Sequence, residues 1–459
     1  MIRLLLAFAL LPALPLSGDT TFPVDESPAD HDSGDSVILA GVTPAIVSVF
    51  PARLLEDDEQ SESELMDRFF NLDPDASKDP DGDFQGVGSG VILTSDGLIV
   101  TNSHVVHLST GELADSITVE LTDRRRFQAR ILGADRLTDI ALLKVDATNL
   151  PVLPIANSDQ VRVGDKVFAV GNPFKIGLTA TKGMVSALNR SGLNLGGPGS
   201  YESFIQTDAP INPGNSGGAL ADSRGRLVGI NTAIYSGAGG NVGIGFAVPS
   251  NLARHICTRL LEDGEVKRGL LGIKVRELTA SDATRLRLEK ISGVLVDETL
   301  KGGPAAEAGV LPGDLIVSVD GREALDRAAF RIAVSLHKPG DDLRLTLRRG
   351  EMREALELTA VLADPEESGA ADAEFELLSL PGVKLKQTKR GEREGLEVIE
   401  LPEDPALSRK LAVGMLIIEV NGKPTPNFAA AEATFRQGVN EVTVLHEGHE
   451  SVLALRLDR

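Results

Sequence analysis

Tryptophan is absent, tyrosine occurs twice, and aromatic residues make up only 4% of the 459 residues. The cores of this chain therefore rest on Val, Leu, Ile and Ala rather than on rings. A single cysteine, Cys257, excludes an intrachain disulfide and leaves no thiol pair for a zinc or redox motif. Bases are scarce: 46 Lys and Arg stand against 67 Asp and Glu, a formal net charge of -21. Such a surface repels phosphate backbones and anionic lipid, which argues against nucleic-acid binding and peripheral membrane attachment. After Leu16 no apolar run approaches the ~20 residues that a spanning helix needs.

What remains is a globular composition, 42% apolar and 25% charged, in a chain long enough for about three domains at ~150 residues each. At the amino terminus, Met1-Ile2-Arg3 precedes an apolar run, Leu4 to Leu16, and then Ser17-Gly18. One positive charge, a short apolar stretch and a small-residue end form a secretory signal pattern over residues 1–18. It places the mature protein in the periplasm. Residues 19–36 read as a flexible acidic arm, and the tract 56–83, rich in Asp, Ser and Pro, as a long surface loop.

Between and after these tracts come short apolar segments punctuated by Gly and Pro. Ala45–Val49, Val87–Leu93, Leu98–Thr101, Ile117–Leu121, Ile140–Val145, Lys166–Val170, Leu227–Asn231 and Gly243–Val248 each read as a strand. Their spacing indicates a barrel or sandwich rather than alternating βα units. Ser250 reads as a helix cap, with Leu252, Ile256, Leu260 and Leu261 on one face until Gly264. Beyond this connector (250–265) lies an internal repeat. Pro304-Ala305 and Gly313–Gly321 are echoed by Pro405-Ala406 and Gly414–Gly422 at an offset of 101 residues. Two copies of one small domain follow, 266–362 and 377–459, joined by the acidic linker 363–376.

The segment most suggestive of chemistry is Gly214-Asn215-Ser216-Gly217-Gly218. A serine among glycines allows a sharp turn whose amides can face an oxyanion; the same residues also make ordinary polar turns. A serine nucleophile needs a base and an orienting acid. Of seven histidines, His104 and His107 remain after those in the arm, the connector and the repeats are set aside. His104 directly follows a strand, with His107 as a solvent-facing neighbour. Asp139, at the entrance to an apolar strand, is the better acid, and Asp135 in the preceding turn the weaker. A nucleophile elbow would require the acid and the histidine to follow the serine, which they do not. His446-Glu447-Gly448-His449 is one residue short of a helical zinc motif and reads as a hairpin turn, so no metal or other cofactor is expected.

Gly88-Ser89-Gly90-Val91, Thr101–Val106, Thr138–Lys144, Gly171–Phe174, Gln206–Ala209, Asn212–Leu220 and Gly243–Pro249, in this order, resemble the HtrA (Deg) family of exported serine proteases. The resemblance implies a mainly β chain: a two-barrel chymotrypsin-like protease domain over 37–249, followed by two α+β PDZ-like domains, the second degenerate. It implies His104 as general base, Asp139 as its orienter and Ser216 as nucleophile, with backbone amides of Gly214, Ser216 and Asn215 in the oxyanion hole. Ile230, Asn231, Thr232 and Ile234 would line the specificity pocket, favouring small aliphatic side chains. Arg268, Gly269, Leu270, Leu271, Gly272 and Ile273 would bind peptide carboxy termini by presenting amides and a strand edge. The expected activity is ATP-independent cleavage of unfolded or misfolded exported polypeptides, in a homotrimer or higher assembly. The alternative is a chaperone or peptide-binding scaffold with a latent protease. Lys175 departs from the family's usual Gly, and the family's cysteine pair is missing from the acidic loop.

Overall fold

The computed structural model describes residues 22, 24–25, 34–52, 88–108, 112–172, 178–193, 200–212, 214–234, 243–286, 288, 291–350, 354–365, 374–376, 383–390, 393–402, 407, 410–425, 431, 434–435, 438–446 and 448–457. The signal pattern and the acidic tract 56–83 lie outside them. The arm reading needs correction. Phe22 is fully buried in the protease core, and β1 (Val24–Asp25) pairs in parallel with a short strand at Ile155–Ala156. One buried ring and two ladder pairs outweigh the acidic composition around them. Helix α1 (Asp35–Val42) then begins inside the range assigned to the arm.

The first barrel consists of β2 (Ile46–Ala52), β3 (Gly88–Ile92), β4 (Leu98–Thr101), β5 (Ser116–Leu121), β6 (Arg126–Asp135) and β7 (Ile140–Val145). It closes in the order β2-β3-β4-β7-β6-β5. On β5 the alternation of Ile117, Val119 and Leu121 turns one face inward. By contrast, β3 and β4 are buried along their whole length.

The short strand at Ile155–Ala156, β8, leads to the second barrel. This contains β9 (Lys166–Gly171), β10 (Thr179–Arg190), β11 (Phe204–Thr207), β12 (Ala219–Asp222), β13 (Leu227–Ile234) and β14 (Gly245–Pro249). Because β13 pairs with both β12 and β14, the ring of six closes, with β8 and β1 added outside β13. One apolar cluster, including Val100, Leu142, Phe168, Val170, Ile230 and Phe246, joins both barrels.

Helix α2 (Ser250–Asp263) buries Leu252, Ala253, Ile256, Cys257 and Leu260 against that cluster and ends at Gly264, whose φ of 76° is left-handed. Ser250 is not its cap, as the sequence suggested. It is the first helical residue, and its hydroxyl donates to the Ala156 carbonyl at 2.7 Å. Burial raises the Cys257 thiol far above its ordinary pKa, leaving it an apolar filler.

The first repeat carries β15 (Ile273–Glu277), β16 (Val294–Thr299), β17 (Leu315–Val319), β18 (Arg322–Glu323), β19 (Asp342–Arg349) and β20 (Glu354–Val361). Its longest helix, Arg327–Ser335, is capped by Asp326, which accepts from the Ala329 amide at 2.8 Å. Ile332 and Leu336 of this unit pack on the protease core. The second repeat builds its own sheet and core. The turn after β17, Asp320-Gly321, has φ values of 49° and 77°, and its counterpart Asn421-Gly422 has 52° and 74°. Both hairpins thus take the same left-handed turn, which Asp-Gly and Asn-Gly favour. The domain limits shift at both ends of the linker: Leu270 pairs with Ala363, and Glu374–Glu376 pairs with the second sheet. His446 and His449 face each other across a hairpin. Among the described residues no cluster of His, Cys, Asp and Glu could hold a metal, and no helix is long and apolar enough to cross a membrane.

Candidate active site

Asp139 closes the turn that leads into β7. Its N–H donates to the Arg136 carbonyl at 3.3 Å, and its φ of 57° is left-handed, which Asp tolerates better than most residues. Buried Asn102 steadies this backbone by donating from Nδ2 to the Asp139 carbonyl at 2.9 Å. The carboxylate is thereby aimed at His104. Nδ1 of His104 lies 2.9 Å from both carboxylate oxygens, and the His104 backbone N–H donates to Oδ1 at 3.0 Å. A ring nitrogen so placed carries the proton, which leaves Nε2 with a lone pair.

The remaining carboxylate contact comes from Thr232, whose hydroxyl donates to Oδ2. The Thr232 carbonyl in turn accepts from the hydroxyl of Ser216 at 3.2 Å. Thr232 therefore links the serine on one barrel to the acid and histidine on the other. Sequence reasoning assigned it to a pocket; its place beside Asp139 is a tertiary fact.

The serine sits in a tight turn. Gly217 has a φ of 82°, and a side chain there would strike the Ser89 carbonyl and the Thr101 hydroxyl. Gly214, at φ 98°, also occupies a conformation that other residues avoid. The turn is bracketed by Asn231, whose carbonyl accepts from the Gly217 N–H at 2.8 Å and whose N–H donates to the Gly218 carbonyl at 2.9 Å. Of the three amides expected at an oxyanion, that of Asn215 is engaged, donating to the Asn212 carbonyl at 3.0 Å. Among the described residues no hydrogen bond uses the N–H of Gly214 or Ser216.

Several expected positions are placed elsewhere. Ile230 is fully buried in the core shared by the barrels, and the Asn231 amide donates to the Ala219 carbonyl at 2.9 Å. Both side chains are fully buried. Ile234 ends β13, and its side chain lies outside the described residues. His107 is half-buried rather than solvent-facing: its Nδ1 is 2.6 Å from the Ser103 carbonyl, and burial lowers its pKa. Asp135 does not address His104. It accepts from Thr138 Oγ1 at 2.5 Å and from the Arg268 guanidinium at 2.7 and 3.1 Å.

That pairing also corrects Arg268, which lies over the Tyr201 ring at 4.7 Å and holds the protease domain rather than a peptide. Next to it, the N–H groups of Gly269 and Leu270 donate to the His337 and Ala363 carbonyls, both at 2.8 Å. Leu271 is buried in the repeat's core, Gly272 takes a φ of 70°, and Ile273 opens β15. Nothing local singles out Asn102 or Ser89, although both stand in the matched blocks around His104 and β3.

Known proteins resemble the chain in both of these regions. Residues 88–230 match the trypsin-like peptidase domain and residues 269–360 the PDZ domain. The periplasmic pH-dependent serine endoprotease DegQ of Escherichia coli (strain K12) is 43% identical over 390 residues, covering 84% of this chain and 82% of that protein. The periplasmic serine endoprotease DegP of Salmonella typhimurium is 39% identical over 380 residues, 82% of this chain and 75% of its own length. Among solved structures, the HtrA-type protease AlgW with tripeptide superposes with a TM-score of 0.55 at 38% identity, over 72% of this chain and 97% of its own.

Proposed function

The chain belongs to the HtrA/Deg family of serine endoproteases, and from that membership we propose that it degrades unfolded or misfolded exported polypeptides in the periplasm through Ser216. The observation that supports this reading is the continuous chain from Ser216 through Thr232 and Asp139 to His104. For attack, the Ser216 side chain turns from the Thr232 carbonyl toward Nε2 of His104, which takes its proton. Asp139 holds the imidazole in the required tautomer and stabilises the imidazolium that forms. The N–H groups of Gly214 and Ser216 stabilise the oxyanion; that of Asn215, already engaged, plays no part. Imidazolium then protonates the leaving amine, and water enters by the same route to release the acyl group.

The first repeat binds peptide carboxy termini through the amides of Leu271, Gly272 and Ile273 and through the edge of β15, with Arg268 outside that role. Chains assemble as trimers or multiples of trimers. Against a scaffold with a latent protease stand the relatives, which are named serine endoproteases. Casein turnover tests the reading: Ser216→Ala should cost several orders of magnitude in rate. Equal turnover by wild type and Ser216→Ala would exclude the mechanism.

A further inference from the structure

The nucleophile turn belongs to the second barrel, yet a residue of the first barrel grips it. Ser89, in β3, is fully buried. Its N–H donates to the Ser216 carbonyl at 2.7 Å, and its hydroxyl donates to the Gly214 carbonyl at 2.6 Å. The same hydroxyl accepts from the Asn172 N–H at 2.9 Å, which directs its own proton toward Gly214. Its carbonyl accepts from Thr101 Oγ1 at 2.7 Å. Every polar group of Ser89 is thus engaged. The site has no room to spare: a Cβ on Gly171 would lie 2.7 Å from the Asn215 Cα and 2.9 Å from the Ser89 hydroxyl oxygen.

The consequence falls on one peptide plane. The Gly214–Asn215 peptide has its carbonyl held by the Ser89 hydroxyl and its N–H held by the Asn212 carbonyl at 3.0 Å. A peptide group is planar, so fixing both ends fixes its rotation. The N–H groups of Gly214 and Ser216 are joined to this plane only through the dihedral angles of Gly214 and Asn215. Gly214, lacking a Cβ, would swing freely without such a hold.

We propose that Ser89 is a positioning residue for catalysis: its hydroxyl holds the Gly214–Asn215 peptide so that the flanking amides point at the oxyanion, while it touches no substrate itself. The proposal rests on the reading of Ser216 as nucleophile. A residue that served only folding would affect stability, and substrate binding and turnover together. One that aims the amides acts on the charged intermediate alone.

The experiment compares the full-length wild type with Ser89→Ala, Ser89→Cys and Ser216→Ala on a short chromogenic peptide. It also measures inhibition by the corresponding peptide aldehyde, whose hemiacetal oxygen takes the oxyanion position. Removal of one oxyanion donor costs about 100- to 1000-fold, so misaiming should lower kcat about 10- to 100-fold in Ser89→Ala with KM within about threefold. The aldehyde Ki should rise by the factor by which kcat/KM falls, with Ser89→Cys intermediate because a thiol donates weakly. A kcat within twofold of wild type, or a lost kcat with unchanged aldehyde affinity, would overturn the proposal. Should the alanine variant fail to fold, the cysteine variant carries the same comparison. If Ser216→Ala keeps wild-type turnover, the nucleophile reading is what fails. If it is inactive while Ser89→Ala is normal, only the role of Ser89 is refuted.

Discussion

His255 provides a quantitative test of how the protease domain and the first repeat are held together. It stands on α2, where burial lowers its pKa from an ordinary 6.5 to about 4, with the charges of Arg259 and Arg254 and nearby His337 pressing the same way. A hydrogen bond to the Leu336 carbonyl, from the repeat that packs on this core, opposes the shift without cancelling it. Among the described residues, its buried Nε2 has no hydrogen-bond partner. Because the folded pKa lies below the unfolded one, the unfolded chain binds more protons between the two values. Stability is therefore complete above about pH 6.5 and is lost as pH falls toward 4. The full shift amounts to about 3 kcal/mol, of which about 2 kcal/mol is lost between pH 7 and pH 5. His255→Gln, which does not titrate, should remove this component.

The assay is hydrogen exchange by mass spectrometry on peptides from α2, in a Ser216→Ala background that suppresses self-cleavage and with intrinsic exchange rates corrected for pH. The variant should lose about 2 kcal/mol less opening free energy than its parent over that interval. Parallel pH dependence in the two proteins would show that His255 is not held neutral by burial at this contact, and the reasoning would fail.

Two further outcomes follow from the site. Thr232→Val keeps the side-chain volume but removes a hydroxyl that donates to a carboxylate. Such bonds are worth about 1.5–3 kcal/mol, so kcat/KM on a peptide substrate should fall about 10- to 100-fold; an unchanged value would detach Thr232 from the acid's function. Arg268→Ala leaves Asp135 buried with, among the described residues, only the Thr138 hydroxyl as a side-chain partner. Breaking a buried pair costs about 3–5 kcal/mol, so calorimetric unfolding of the protease domain should begin several degrees lower. A midpoint within a degree of wild type would show the pair to be neutral.

How much of this was legible beforehand depended on where each signal resides. Strands with an apolar face, such as Ile140–Val145, and helix α2 announce themselves, because hydrophobic period and stop residues are local. The strands Arg126–Asp135 and Thr179–Arg190 are less legible. In the first, Phe127, Ala129 and Ile131 alternate but are only half-buried against the barrel core, and the second is mostly polar and half-exposed, so pairing with neighbouring strands completes both. The repeat was readable because its turn chemistry, Asp-Gly and Asn-Gly, recurs at one offset.

By itself, then, the sequence determined the fold class, the family and the small set of residues able to do acid, base and nucleophile chemistry. Residue type, order and spacing are properties of the chain. Only the tertiary structure decided that Thr232 serves Asp139, that Arg268 is tied to Asp135, and that Ser89 rather than a neighbour holds the nucleophile turn. These roles depend on hydrogen bonds between residues 93, 133 and 125 positions apart. Contacts of that reach are created when the two closed barrels meet each other and the first repeat, and no local pattern records them.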